Sequence, residues 1–149
     1  SGNTLVLSGD VPLISIETLD KLISIHSKNN SIASILSADI NDPSGYGRVI
    51  RSNSNDFLKI IEHKDATPDQ LKINEINSGI YIFDTNTLCQ KIFSIKNNNM
   101  QNEYYLTDIF NHVNTTNVSI YKTDNSDEIN GVNTIEQLEN LEESIIDEQ

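Results

Sequence analysis

The chain has no tryptophan, one cysteine, one methionine and three prolines in 149 residues, and arginine occurs only as Arg48 and Arg51. A single thiol, Cys89, cannot close an internal disulfide, and no Cys/His cluster at zinc-ligand spacing accompanies it. That excludes a disulfide scaffold and a structural zinc site, and makes a cytoplasmic location the expectation. No apolar run approaches the roughly 18 residues that a membrane span needs, and the N-terminus lacks a basic segment followed by an apolar one, so neither a membrane protein nor a secreted one is expected. Basic residues are scarce: 10 Lys and Arg face 22 Asp and Glu, for a formal charge of −12. Such a balance repels a phosphate backbone, and nucleic acid is excluded as an expected partner. Repeats of 20–50 residues are also missing, which excludes a solenoid.

What is present is the composition of one globular domain, 36% hydrophobic and 21% charged. A chain of this length can bury roughly 68–70% of its unfolded surface, enough for a core without staples. The charge is uneven. Nine acids and no base lie between Asp124 and Gln149, leaving 13 acids against 10 bases in the preceding 123 residues. Acidity is thus a property of the tail.

The run from Thr4 to Leu7 is apolar and uncharged, and reads as a buried strand that ends at Gly9 and Asp10. Ser15 then precedes a helical pattern with Leu19, Leu22, Ile23 and His26 on one face, ended by Asn29 and Asn30. A second strand is expected over Ser31–Ala38, which makes the opening a strand–helix–strand unit of parallel-crossover length. After the loop 41–47 (NDPSGYG), Arg48–Arg51 and Phe57–Glu62 read as a hairpin around SNSN. Thr67-Pro68 has the order that starts a short helix running to about Lys72. Glu75–Phe83 returns to β character, and Asp84 can cap a following helix through Leu88 and Ile92, with Cys89 in the core. The polar stretch Lys96–Glu103 reads as a loop. Tyr104–Val113 is expected to be helical and Val118–Tyr121 a strand. From Thr134 onward a helix places Ile135, Leu138, Leu141 and Ile145 on one stripe, with its acids facing water. The pattern is α/β.

Asp10, directly after a strand, would stand at the carboxyl end of the sheet, where open α/β folds bind ligands. A lone carboxylate there suits Mg²⁺, which takes one or two protein carboxylates and fills its shell from phosphates and water; Gly-Asp-X-Pro is equally a turn sequence. Gly45 and Gly47 permit close approach of a ligand or serve as turn residues. Glu62 can accept hydrogen bonds from sugar hydroxyls, or can join His63, Lys64 and Asp65 in a solvated charged corner; His63 has no second histidine at metal-ligand spacing. Asn77 interrupts a β pattern, and its amide needs partners in a ligand or in nearby backbone. Asn133 precedes a helix with Glu136 three residues on, the arrangement of a capping box. No phosphate-cradling glycine loop follows the first strand, which leaves either an unusual fold or a chain that starts in the middle of one.

The ordered segments SGDVPLIS (8–15), DPSGYGRV (42–49), EHKDAT (62–67), EINSGIY (75–81), NNNMQNEYYLTD (97–108) and GVN (131–133) resemble the bacterial bifunctional N-acetylglucosamine-1-phosphate uridyltransferase and glucosamine-1-phosphate acetyltransferase family. The resemblance covers nearly the whole chain, in family order, and falls in the later part of the uridyltransferase domain. It implies a Rossmann-like nucleotidyltransferase fold, a mixed sheet flanked by helices, with the N-terminal portion absent. The implied reaction is Mg²⁺-dependent transfer from UTP to N-acetylglucosamine 1-phosphate, giving pyrophosphate and UDP-N-acetylglucosamine, a precursor of peptidoglycan and lipopolysaccharide.

By the same resemblance, Asp10 and Asn133 match Mg²⁺ ligands, and Gly47, Glu62 and Asn77 match positions that contact the sugar and its phosphate. Ser8 stands where the family commonly has tyrosine, so Ser8 and Gly9 could contribute backbone contacts only. Residues 1–149 would be the C-terminal two-thirds of the uridyltransferase domain. The glycine-rich loop, the uracil-reading residues and the trimer-forming left-handed β-helix that performs acetyl transfer would lie elsewhere. The resemblance therefore implies that the fragment alone is inactive and that the parent is a homotrimer. Another sugar-nucleotide pyrophosphorylase, using dTTP or CTP, and a non-catalytic remnant or interaction domain are the competing readings.

Overall fold

The computed structural model describes residues 2–129, which form a six-stranded mixed sheet with helical segments on both faces. The strands are β1 (Asn3–Val6), β2 (Ala33–Asp39), β3 (Arg48–Arg51), β4 (Phe57–Ile61), β5 (Glu75–Asp84) and β6 (Val118–Thr123), and the α-helices are α1 (Ile16–Lys28) and α2 (Thr85–Lys91). The main path runs β4-β3-β5-β2-β6, with β1 also paired to β5. β5, ten residues long, is the hub. β2 lies antiparallel along one edge; on the other, β1 pairs the end of β5 (Val6 opposite Tyr81) and β3 its beginning (Arg48 opposite Ile76). β1 and β2 therefore run in the same direction, as the expected crossover requires, but β5 lies between them. The parallel pairing in the sheet is β2 with β6. The expected hairpin is β3–β4, closed by Ser52, whose hydroxyl accepts from the backbone N–H groups of Ser54 and Asp56.

Local signals set the helix starts. Ser15 Oγ accepts from Thr18 N at 3.1 Å and Asp84 Oδ1 from Thr87 N at 2.8 Å, each satisfying an orphan donor of a first turn. Thr67 and Gln70 form a reciprocal capping box at the start of a 3-10 turn, Gln70–Lys72.

Each face of the sheet carries a core. One contains Ile35, Tyr81 and Phe83 with Phe57, Ile109 and Phe110. The other contains Leu36, Ile76, Ile80 and Ile82 with Val11 and Leu22. β2 contributes to both because successive side chains alternate faces.

Several expectations need correction. β1 is not a buried strand: its edge away from β5 has no neighbour among the described residues, and Leu5 and Leu7 are exposed. α1 buries Thr18, Leu22 and His26, a row at i, i+4 and i+8, while Ile23, about 100° beyond Leu22, points to water. Cys89 is exposed, since α2 turns Leu88 toward the core and its next residue away. The helical segment after residue 103 is a 3-10 run, Leu106–His112, preceded by an extended Tyr105 and by Glu103, whose N–H and carbonyl are both held by the Asn99 side chain. Asn133 and the helix expected from Thr134 lie outside the described residues.

Candidate functional site

The sheet brings most of the singled-out residues into one line of contacts. Ser8, Gly9 and Asp10 form the turn after β1, where the Ser8 hydroxyl donates to Asp10 Oδ1 at 2.5 Å. Ser8 packs on Gly79: a Cβ built there would stand 3.1 Å from Ser8 Oγ, and the φ of +79° is one that only glycine adopts without strain. Gly79 N–H donates to Asn77 Oδ1 at 3.3 Å. Asn77 N–H donates to the carbonyl of Gly47 at 2.9 Å. A Cβ on Gly47 would stand 3.2 Å from Glu62 Oε2, so any larger residue here would press on that carboxylate. The line ends where the Thr107 hydroxyl donates to Glu62 Oε1 at 2.9 Å.

The element that makes this possible is an irregularity in β5. Between the pairs Asn77–Ser37 and Tyr81–Ile35, β5 advances four residues while β2 advances two. The Ser78 hydroxyl stitches the bulge, donating to the Leu36 carbonyl at 2.7 Å and accepting from Ile80 N–H at 3.1 Å. Bulges of this kind re-aim side chains next to functional sites.

Glu62 borders a cleft of about 220 Å³ whose wall also includes Asp65, Asn99, Tyr105, Thr107 and Asp108. Among the described residues Lys59 is the one basic residue lining it. Burial pushes the Glu62 carboxyl above the usual carboxylate range; the Thr107 hydroxyl pulls it down, and Asp65 and Asp108 push it further up. Burial likewise raises Asp108, and His112 opposes the rise. The Tyr105 hydroxyl is buried there without a hydrogen-bond partner among the described residues. No described Lys or Arg forms an ion pair with Glu62. Glu62 is half-buried, whereas Lys64 of the same corner is exposed. His63 has a plainer role, accepting from Gly45 N–H at 3.2 Å and holding the 41–47 loop.

Nothing local in the sequence singles out Thr107, Tyr81 or Ser78, although each lies within a segment that carries the resemblance. Their partners are 4 to 45 residues away and reach them only through the sheet. Among the described residues no group of three His, Cys, Asp or Glu could hold a metal. No described helix is long and apolar enough to cross a membrane.

A family model for nucleotidyl transferases matches residues 1–136. The chain belongs to the nucleotidyl transferase family. Within that family it is 50% identical, over 143 residues, to the bifunctional protein GlmU of Thermosipho melanesiensis, a match covering 96% of this chain and 31% of that protein. It is 46% identical over 143 residues to GlmU of Clostridium novyi, covering 95% of this chain and 31% of that one. This nucleotidyl transferase chain thus spans about a third of the length of the curated relatives it matches. In fold it is similar to a Bacillus anthracis crystal structure assigned as a glucose-1-phosphate thymidylyltransferase, solved with sucrose. The TM-score is 0.65 at 18% identity, over 93% of this chain and 52% of that one. The α/β nucleotidyl transferase architecture expected from the sequence is the one observed.

Proposed function

We propose that this chain carries the sugar-phosphate side of a nucleotidyl transferase that joins UTP and N-acetylglucosamine 1-phosphate into UDP-N-acetylglucosamine and pyrophosphate. The observation that carries the reading is Glu62, a half-buried carboxyl with one hydroxyl donor and no basic partner among the described residues, set at the edge of a cleft against Gly47, whose carbonyl accepts from Asn77 N–H. Such a group is under-satisfied, and sugar hydroxyls are the donors that would complete it; hydrogen bonds to a charged group contribute about 1.5–3 kcal/mol. An acidic wall suits the neutral, hydroxyl-rich part of the ligand better than its phosphate, which belongs toward the β1 turn.

There the described residues offer one carboxylate, Asp10, exposed and held by Ser8. That donor fits Mg²⁺, which needs few protein ligands when phosphates supply the rest. Asp10, with Asn133, would hold the ion, and its contribution would be to neutralise charge on the phosphates. This chain's own residues bind and orient: Glu62 and Asn77 fix the sugar, so that a phosphate oxygen of the sugar 1-phosphate stands ready to attack the α-phosphorus of UTP as pyrophosphate leaves. No covalent enzyme intermediate is required.

The test uses the protein encoded by the complete reading frame. It should release pyrophosphate only with UTP, N-acetylglucosamine 1-phosphate and Mg²⁺ together, and Asp10→Asn should lower turnover at least 100-fold at limiting Mg²⁺. Unchanged turnover in that variant removes Asp10 from the metal site, and absence of the reaction in the wild type removes the function. A preference for dTTP would move the assignment to thymidylyl transfer, the reading that the Bacillus anthracis fold neighbour favours.

A further inference from the structure

Asn77 owes its usefulness as a ligand contact to a neighbour that has no place in the reading above. A carboxamide carries two N–H donors and two acceptor lone pairs, and it binds selectively only if its two ends are held apart in identity. Both ends of Asn77 are held. Its Oδ1 accepts from Gly79 N–H at 3.3 Å, and its Nδ2 donates to the Tyr81 hydroxyl at 2.6 Å. Turning the amide over would set an NH₂ against the Gly79 N–H, two donors facing each other, so the backbone excludes the reversed form. Tyr81 removes the remaining freedom of rotation with the shorter of the two bonds.

Two features make Tyr81 a rigid partner. The bulge inserts two residues, an even number, so Asn77 and Tyr81, four positions apart, stay on the same face of the sheet. The Tyr81 ring is 4% exposed and packs against Phe83 and Phe110, with ring centroids 5.7 and 5.8 Å away. Burial, with Glu62 nearby, keeps the phenol protonated far above neutral pH. One Nδ2–H and one Oδ1 lone pair of Asn77 are then left, side by side, for a ligand.

We propose that Tyr81 is a positioning residue: it orients the Asn77 amide so that one donor and one acceptor face the sugar. The inference rests on the sugar-phosphate reading for its kinetic consequence, but not for the orientation itself. Tyr81→Phe keeps the ring in the aromatic cluster and removes only the hydroxyl. In the complete protein it should raise the KM for N-acetylglucosamine 1-phosphate about tenfold, with kcat and the KM for UTP within twofold of wild type. In the same variant, hydrogen exchange at Gly79 N–H should accelerate about tenfold as the loosened amide stops accepting from it. An unchanged sugar KM, or equal rises in both KM values with a general gain in exchange across β5, overturns the proposal. Should the wild type fail to use either substrate, the function falls while Gly79 exchange still decides the orientation: acceleration confined to Gly79 supports it, and unchanged protection overturns it.

Discussion

β5 and its neighbours hold two glutamates drawn out of solvent, Glu75 buried and Glu62 half-buried, that differ in company. Glu75, at the start of β5, accepts from Arg51 Nε and Nη2, both at 2.7 Å, and from the Ser37 hydroxyl at 2.7 Å. Glu62, after β4, receives one hydroxyl and stands near two other acids. Burial would raise Glu75, but the hydrogen bonds from Arg51 and Ser37 and the arginine charge outweigh it and leave the carboxyl below its usual value. Burial wins at Glu62. The sheet thus uses one carboxylate to lock three strands and leaves the other wanting donors. A buried acid completed by its own protein is architecture; one left incomplete beside a cleft is available to a ligand.

The largest test of this difference is Glu75→Ala, which strands the Arg51 guanidinium. We expect a loss of about 3 kcal/mol in denaturant unfolding, toward the low end for a broken buried pair because Arg51 is 22% exposed. A loss below about 1 kcal/mol would show that the clamp is ornamental. Since the folded pKa of Glu75 is lowered, its contribution is complete above the unfolded value of 4.5 and is lost as pH falls through the folded value.

Gly47→Ala comes next. Its methyl would meet Glu62 Oε2 at 3.2 Å and Ile60 at 3.3 Å, and moving them should cost about 1–2 kcal/mol of stability together with most of the sugar-phosphate affinity measured by calorimetry. Intact affinity would detach Glu62 from the ligand.

The smallest stability effect belongs to Glu62→Gln. Wild-type Glu62 has a raised folded pKa, so the folded state binds the proton better, and stability is lost as pH climbs from 4.5 through the folded value. The glutamine variant should therefore match wild type below pH 4 and be the more stable of the two at pH 8, while sugar-phosphate binding disappears. A variant less stable than wild type at pH 8 would mean that Glu62, like Glu75, is structural.

Much of the fold was legible because its determinants are local. The β-branched run of β5, the caps Ser15 and Asp84 and the hairpin around SNSN each act within a few residues. Two helix faces are not legible locally, at Ile23 and at Cys89, because which row of a helix turns inward depends on the sheet beneath it. The site was legible only in pieces. Glu62, Asn77 and Gly47 stood out through the resemblance, but their contact across three strands, the supply of a hydroxyl from Thr107 and the contrast between Glu62 and Glu75 are products of register. EHKDA and EINSG each offer one glutamate, and no local feature of either segment says which meets an arginine.

The even count of the β5 bulge bears on how such a chain can change. Adding or deleting one codon between Asn77 and Tyr81 would send one of the two side chains through to the opposite face, separating the amide from the phenol and breaking the site in a single step. Two codons would restore both faces. Length variation among relatives at this point should therefore come in pairs, whereas the loop around residues 52–56, which among the described residues bonds only within its own hairpin, carries no such parity constraint.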